Sequence, residues 1–226
     1  MQFHYKTPAM TFFVTGISTE VGKTISSAIL VEALGADYWK PVQAGELEHT
    51  DSDRVASLIG GEGTVIHPSS YALKTPMSPH AAAALDGVEI DLKGIVPPKT
   101  DNHLVIEGAG GLMVPLNDRD TIFDLIQPWH KVILVSRHYL GSINHTLLSL
   151  EKLSQKGVRV GLVFNGDPHP STEEIILKKS SAFFLGRIHR EEGFDRALIK
   201  KYAKQWTPAL ESFQALVDQP PSQGGL

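Results

Sequence analysis

A lysine and a threonine follow a glycine near the start of the chain, in the run Gly16-Ile-Ser-Thr-Glu-Val-Gly-Lys-Thr24. An apolar run, residues 11–15, precedes it, and residues with helical spacing follow it as far as Leu34, which predicts a strand, a loop and a helix. Such a loop offers unpaired backbone N–H groups and the positive end of a helix dipole to a polyphosphate. Lys23 would add charge, and the Thr24 hydroxyl would bind a Mg²⁺ ion that bridges two phosphates.

The spacing of this loop departs from the standard phosphate-binding pattern. Five residues separate Gly16 from Gly22, where the usual pattern has four, and Ile17 stands in the place of the usual first glycine. A Gly-Lys-Thr turn that merely opens a helix is the alternative interpretation. The flanking strand and helix favour the phosphate loop.

Glu107 is the first candidate for a metal ligand. It ends the apolar run 103–107 and is followed by Gly108-Ala109-Gly110-Gly111, whose glycines allow the backbone to approach a ligand closely. Mg²⁺ prefers oxygen ligands and keeps several waters, so one or two carboxylates with Thr24 and phosphate oxygens would complete its octahedron. A carboxylate that only caps or pairs at a strand end is the alternative.

Lys40 and Asp53 allow two interpretations each. Lys40 lies in the apolar run 38–42, where an ammonium is expensive to bury without an anion such as a phosphate or carboxylate ligand; the alternative is a strand-end lysine that reaches solvent. Asp53 belongs to the run Thr50-Asp-Ser-Asp53, which opens a helical segment. From the residues alone, a helix-capping role is favoured there.

The remaining loops and residue types narrow the chemistry. Gly141 opens the helical segment 143–156, and backbone N–H groups at such a start hold a carboxylate, although an ordinary helix start is more common. The ten histidines contain no H-E-x-x-H pair for zinc, no Gly-x-Ser-x-Gly elbow exists, and the chain has no cysteine. The chemistry is therefore expected to rest on ATP, a metal and lysines.

The elements that must position these groups alternate along the chain. Strands are predicted at residues 11–15, 38–42, 103–107, 131–136 and 158–165, and helices at 24–34, 51–59, 78–85, 143–156 and 171–179. This alternation predicts an α/β, doubly wound, mostly parallel sheet with helices on both faces, like that of P-loop NTPases. Ligands bind such sheets in the crevice beyond the carboxyl ends of the strands.

The bulk composition indicates one globular unit. The 226 residues are 42% hydrophobic, which suits a single ATP-binding domain over residues 1–226. A formal net charge of -4 offers no field for nucleic acid or anionic lipid, and no window has the roughly 20 apolar residues of a membrane span. We expect a soluble, cytoplasmic protein with residues 219–226 as a flexible tail. Residues 1–9 are either a short extension or precede a true start at Met10.

Five motifs give the chain a close resemblance to the dethiobiotin synthetase family, and the resemblance extends over about residues 11–165. The motifs match in order and spacing: Gly16-Ile-Ser-Thr-Glu-Val-Gly-Lys-Thr24, Lys40-Pro-Val-Gln-Ala-Gly45, Ser78-Pro-His80, Val105-Ile-Glu-Gly-Ala-Gly-Gly111 and Gly141-Ser-Ile-Asn-His145. The resemblance implies that 7,8-diaminopelargonic acid captures CO₂ as a carbamate, which ATP phosphorylates. The second amine then closes the ureido ring with loss of phosphate.

The resemblance also implies residue roles. Thr24, Asp53 and Glu107 would hold Mg²⁺, which replaces the capping role that the residues alone favour for Asp53. Lys23 and Lys40 would contact the γ-phosphate and the carbamate. The nucleotide-binding residues implied in addition are Thr19, Glu20, Val21, Gly22 and Asn165, with Thr19 also near the substrate and Asn165 reading adenine. The loop implied to bind the substrate carboxylate comes from the second subunit of a homodimer: Gly141, Ser142, Ile143 and Asn144.

Two departures from the family pattern and two rival classes stand beside this interpretation. Ala44 lacks the hydroxyl that the family often carries, and Gly186-Arg-Ile-His189 replaces its usual Ile-Pro pair. A partition or septum-site ATPase, a nucleotide switch, would usually carry an extra lysine near Ile17. An amidoligase of corrinoid synthesis would need a glutaminase cysteine, which this chain lacks.

Overall fold

A computed structural model describes residues 9–217, which form nine strands, seven α-helices and one short 3-10 helix (Leu92–Gly94). The segment proposed as an amino-terminal extension lies outside these residues except for Ala9, and so does the proposed tail 219–226. The strands are β1 (Thr11–Gly16), β2 (Asp37–Trp39), β3 (Val42–Ala44), β4 (Ile66–His67), β5 (Tyr71–Leu73), β6 (Leu104–Gly111), β7 (Lys131–Arg137), β8 (Val160–Asn165) and β9 (Phe183–Ile188). The helices are α1 (Lys23–Leu34), α2 (Asp51–Leu58), α3 (Pro79–Asp86), α4 (Ile122–Leu125), α5 (Ser142–Ser154), α6 (Pro170–Lys179) and α7 (Arg196–Val217).

The main sheet has seven strands in the order β4-β2-β6-β1-β7-β8-β9. Every strand pairing among the described residues is parallel. Parallel strands need helical crossovers, which cover both faces of the sheet. The predicted doubly wound, mostly parallel fold is confirmed.

Successive residues of the central strand β1 pack into different cores. Phe12 and Val14 lie in one buried cluster with residues of α1 and α7, whereas Phe13 lies in a second cluster with residues of α3 and α4. This follows from the alternation of side chains along a strand. Because both faces of β1 are buried, it is a continuous apolar run, and the loop that follows it starts from a rigid support.

The predicted strand at residues 38–42 is divided into two. β2 ends at Trp39, and β3 begins at Val42 and pairs with β5 in a separate two-stranded sheet. Pro41 has no N–H to donate to a sheet ladder, which accounts for the break. Lys40 therefore lies just past the carboxyl end of β2, where ligands of such sheets bind.

The carboxyl-terminal helix packs closely on the last strand. α7 spans most of the region 194–226, where the sequence pattern indicates helical packing, and its Trp206 is buried. A Cβ added at Gly186 of β9 would lie 2.5 Å from the Trp206 ring nitrogen, so the glycine allows helix and strand to approach. No helix within residues 9–217 is long and apolar enough to span a membrane.

A buried aspartate at the start of β2 joins three segments of the chain. Asp37 Oδ1 accepts hydrogen bonds from the Val65 N–H (2.9 Å) and Asn102 Nδ2 (3.0 Å). Its Oδ2 accepts one from Thr100 Oγ1 (2.6 Å) and lies 3.2 Å from His67 Nε2. Burial raises the pKa of Asp37, but these hydrogen bonds outweigh burial and hold the pKa below its usual value.

Asp37→Asn is expected to lower the free energy of unfolding by about 2–3 kcal/mol at pH 7, because the amide nitrogen cannot accept the bonds that one carboxylate oxygen accepts. Since the folded pKa of Asp37 is depressed, its stabilisation is complete above the unfolded pKa of about 4 and is lost as pH falls through the folded value. Urea titrations of both proteins from pH 7 to pH 3 measure this. A stability difference that does not shrink below pH 4 would contradict the assignment.

Candidate active site

The loop between β1 and α1 carries the residues predicted to bind phosphates. Gly22 adopts φ 98°, a left-handed conformation that suits glycine, and Glu20 adopts φ 53°. The Lys23 ammonium is nearly buried and donates a 3.0 Å hydrogen bond to the backbone oxygen of Ser18 in the same loop. The Lys23 side chain thus folds over its own loop. Its ammonium lies where it could contact an anion bound by that loop.

Burial lowers the pKa of Lys23 from 10.5 to about 8, against the attraction of Glu107. The neighbouring Lys40 ammonium lowers the pKa further, and Asp51 raises it. An anionic ligand would favour the charged form of Lys23. The site is therefore suited to a polyanion.

Glu107 lies within β6 and is almost completely buried. Its Oε1 accepts hydrogen bonds from Thr24 Oγ1 at 3.0 Å and from Lys40 Nζ at 3.2 Å. Its Oε2 accepts one from the Tyr38 hydroxyl at 3.0 Å, and burial raises the Tyr38 pKa well above its usual value, so the phenol stays protonated. Both carboxylate oxygens are thereby fixed.

Asp51 is a second carboxylate in this cluster. Its Oδ1 lies 2.6 Å from Thr24 Oγ1 and its Oδ2 lies 2.7 Å from Lys40 Nζ. Burial raises the pKa of Asp51, but the Lys40 cation and the hydrogen bonds outweigh it and lower the pKa. Burial lowers the pKa of Lys40, and the two carboxylates more than reverse this. Lys40 is therefore a buried ammonium between two carboxylates.

Asp53, which the resemblance assigned to the metal, lies outside this cluster. It is exposed, and its Oδ2 accepts hydrogen bonds from the Thr50 N–H (2.8 Å) and the Thr50 hydroxyl (2.6 Å) in a capping box at the start of α2. The capping role favoured from the residues alone matches this geometry. The structure brings Asp51 to Thr24 and Glu107, so Asp51 replaces Asp53 in the candidate site.

Lys23, Lys40, Asp51 and Glu107 line an open cleft of about 860 Å³ at the carboxyl ends of the strands. The cleft wall includes Arg54, Gln43 and Ala44, none of which was proposed as a site residue. The residues predicted for nucleotide, metal or substrate that line it are Thr19, Glu20, Gly22, Lys23, Thr24, Lys40, Glu107 and Asn165. The side chain of Val21, which was also predicted to bind nucleotide, is buried and does not line the cleft.

Asn165 follows β8 and contacts the phosphate loop directly. Its Nδ2 donates a 2.8 Å hydrogen bond to the backbone oxygen of Val21. A Cβ added at Gly22 would lie 2.5 Å from the same nitrogen, so a glycine at position 22 permits this contact. Asn165 is thereby placed at the edge of the cleft beside the loop.

The predicted substrate-carboxylate loop lies apart from this cleft in a single chain. Gly141, at φ 102°, precedes α5, and none of the four residues 141–144 is among the described residues that line the cleft. Ser142 is buried, whereas Ile143 and Asn144 are exposed. Leu140 beside them is completely exposed.

A parallel sheet with a phosphate loop after β1, and with paired carboxylates and a buried lysine at the same edge, defines an ATP-using enzyme of the P-loop class. A family model described as an AAA domain matches residues 10–197. The chain is 54% identical to the ATP-dependent dethiobiotin synthetase of Christiangramia forsetii over 88% of this chain and 97% of that protein. Identity to the enzyme of Cytophaga hutchinsonii is 52% over 85% of this chain and 94% of that protein.

The chain therefore belongs to the ATP-dependent dethiobiotin synthetase family, whose members are ligases of biotin biosynthesis that form carbon–nitrogen bonds. Among solved structures, a plasmid partition protein of Borrelia burgdorferi with bound AMPPNP superposes with a TM-score of 0.58. The superposition covers 93% of this chain and 100% of the partition protein, and the two sequences are 16% identical. This likeness shows the shared fold alone.

Proposed function

We propose that this chain converts 7,8-diaminopelargonic acid, CO₂ and ATP into dethiobiotin, ADP and phosphate in the cytoplasm. One amine of the substrate captures CO₂ as a carbamate, the γ-phosphoryl group moves to a carbamate oxygen, and the second amine attacks the carbamate carbon and expels phosphate. The contact of Lys40 with Asp51 and Glu107, in the same cleft as Lys23, carries this proposal. It collects the groups needed to neutralise a transferring phosphoryl group in one cleft.

The chain itself supplies positioning and charge to this reaction. The loop N–H groups and Lys23 hold the ATP phosphates, and Asn165 stands beside them as the proposed contact to adenine. Lys40 releases its carboxylates and turns its ammonium to the carbamate and the γ-phosphate. No protein nucleophile is required, because the substrate amines make both new bonds to carbon.

The residues at the cleft fit a Mg²⁺ ion. The Thr24 hydroxyl, Asp51 and Glu107 present oxygen atoms at one place, and Mg²⁺ prefers oxygen ligands and retains waters. When bound, the ion would offset the negative charge of the ATP phosphates. We propose Thr24, Asp51 and Glu107 as the residues that hold it.

The proposed substrate carboxylate site comes from a second copy of the chain. Gly141, Ser142, Ile143 and Asn144 lie outside the cleft of their own chain, and the N–H groups at the start of α5 suit a carboxylate. Four large apolar or aromatic side chains in and near the loop are exposed, and a partner would cover them: Tyr139, Leu140, Ile143 and Leu148. A homodimer would complete two clefts.

Mixing two inactive variants is expected to restore activity, because each cleft would combine residues of both subunits. Lys40→Ala disables the cleft, and Asn144→Asp places a negative charge at the proposed carboxylate site. In a mixed dimer, the cleft of the Asn144→Asp subunit receives an intact loop from its partner. Random exchange of equal amounts should give about a quarter of wild-type turnover. Turnover that stays at the level of the separate variants would refute the shared site.

The reaction is tested by ADP release from Mg²⁺-ATP and bicarbonate, with and without the diamine, while the product is followed by mass. Diamine-dependent ADP release with a cyclic urea product would establish the proposed reaction. ATP turnover that ignores the diamine would overturn it and favour a nucleotide switch of the partition or septum-site kind. The same assay with GTP and CTP measures how strictly ATP is preferred.

A further inference from the structure

Two side chains at the ends of neighbouring strands hold the back of the phosphate loop. Arg137 and Asn165 are partners in the register of β7 and β8. Arg137 donates a 3.3 Å hydrogen bond from Nη1 to the backbone oxygen of Glu20, and Asn165 donates a 2.8 Å hydrogen bond to that of Val21. The sheet register therefore places two donors against two consecutive carbonyl groups of the loop.

Those carbonyl groups belong to the strained part of the loop. Glu20 adopts φ 53°, which is unfavourable for a residue with a side chain, and Gly22 adopts φ 98°. A non-glycine residue in this region costs of the order of 1–3 kcal/mol and persists only where its surroundings hold it. Arg137 and Asn165 supply such contacts on both sides of Val21.

The two contacts also determine where the loop N–H groups point. In a trans peptide unit the carbonyl of one residue and the N–H of the next point in opposite directions. Holding the Glu20 and Val21 oxygens toward β7 and β8 therefore turns the N–H groups of Val21 and Gly22 away from those strands. These are N–H groups of the kind that hold phosphate at the start of a helix.

A second set of contacts fixes the turn that carries Asn165. The Gly166 N–H donates to the Ile188 oxygen at 2.9 Å, and Arg187 Nη1 donates to the Gly166 oxygen at 3.1 Å. Arg187 also forms an ion pair with Glu173, whose Oε1 lies 2.9 Å from His138 Nε2. Arg187 thus joins β9 to this turn, and through Glu173 of α6 it is linked to His138, the residue after β7. These contacts therefore fix the position of Asn165, which donates the hydrogen bond to the Val21 oxygen.

We propose that Arg137 is a positioning residue for nucleotide binding: with Asn165 it holds the phosphate loop in its binding conformation. This inference rests on the proposed ATP site and adds a residue to it. Arg137 is exposed, so replacing it leaves the core intact. Arg137 acts through the loop backbone and has no part in the transfer of the phosphoryl group.

The test measures the Kd of ADP by titration calorimetry for Arg137→Ala, with Arg119→Ala as a matched control. Arg119 is exposed on a different turn, so its loss removes the same charge. Arg137→Ala is expected to weaken ADP binding about tenfold, the value of roughly one hydrogen bond from a charged donor. The KM for ATP should rise in proportion while kcat stays near wild type, and Arg137→Lys should recover part of the affinity.

Salt and folding controls separate positioning from simple attraction. The loss of ADP affinity in Arg137→Ala should persist in about 0.5 M NaCl, where long-range attraction is largely screened. The melting temperature of the variant without ligand should equal that of wild type. Unchanged ADP affinity, an equal loss in Arg119→Ala, or a loss that vanishes at high salt would each overturn the inference. Wild-type protein that binds ADP without making dethiobiotin would instead overturn the proposed function.

Discussion

Lys40→Ala lowers kcat for dethiobiotin formation by about 10²–10³-fold and leaves the Kd of ADP within about threefold of wild type. The expected loss is that of one preorganised charge at the reacting group. The ammonium lies 2.7 Å from Asp51 and 3.2 Å from Glu107, whereas Lys23 and the loop are the proposed contacts to the nucleotide. Single-turnover measurements of product, together with ADP titration, separate the two effects.

The same variant has an expected signature in stability. Without the Lys40 cation, the buried Glu107 carboxylate and the partly exposed Asp51 carboxylate lose the charge between them, and breaking a buried ion pair such as that of Lys40 with Glu107 costs about 3–5 kcal/mol. Added Mg²⁺ should restore part of the melting temperature in Lys40→Ala and have little effect on wild type. Lys93→Ala, at an exposed lysine, is the control and should change neither property. Wild-type turnover in Lys40→Ala would remove this lysine from the mechanism.

Asp51→Asn raises the Mg²⁺ concentration needed for half-maximal activity by about 10–100-fold, and Asp53→Asn leaves it unchanged. A charge-assisted contact contributes about 1.5–3 kcal/mol, which corresponds to this range. Asp51 lies 2.6 Å from the Thr24 hydroxyl, whereas Asp53 is engaged with Thr50. Initial rates at fixed ATP over a Mg²⁺ series measure the difference.

The two aspartates serve as controls for each other, because each variant removes one negative charge from the start of α2. Asp53→Asn weakens the capping box and should lower the melting temperature without a change in metal dependence. Asp51→Asn should have the opposite pattern, with a large change in metal dependence and a smaller change in melting temperature. Equal shifts in Mg²⁺ requirement would show that only the net charge near the cleft matters.

The phosphate loop and the sheet could be predicted from the sequence because both depend on local patterns. The Gly-Lys-Thr run lies between a buried strand and a helix, and buried parallel strands are recognisable as short apolar runs. Which of the two carboxylates, Asp51 or Asp53, faces the cleft depends less on the local sequence. Residues two apart on a helix point in directions about 200° apart, so the entry angle of α2 decides which carboxylate faces the cleft. The pair Thr50 and Asp53, three apart as in a capping box, was the available signal.

Other features depend on contacts that a linear sequence does not display. The division of the strand at Pro41 follows a known effect of proline, but its pairing with β5 depends on the chain folding back. The hydrogen bond from Tyr38 to Glu107 joins residues 69 positions apart. The destination proposed for the loop at Gly141, a cleft of a second subunit, depends on another molecule. Such contacts belong to tertiary and quaternary structure, where residue types alone leave many partners open.

The buried ammonium between Asp51 and Glu107 has a consequence for the order in which the cleft fills. In the inner cluster of the cleft, the two carboxylates Asp51 and Glu107 are matched by two lysines, Lys23 and Lys40, so the formal charges of these four groups balance. A lone divalent ion would have to displace Lys40 with no anion to receive it, and the released ammonium would lose its partners inside the protein. A nucleotide that arrives with its own metal offers that anion at the same moment. We therefore expect Lys40 to act as an internal counter-ion that gives way to the metal only when triphosphate is present.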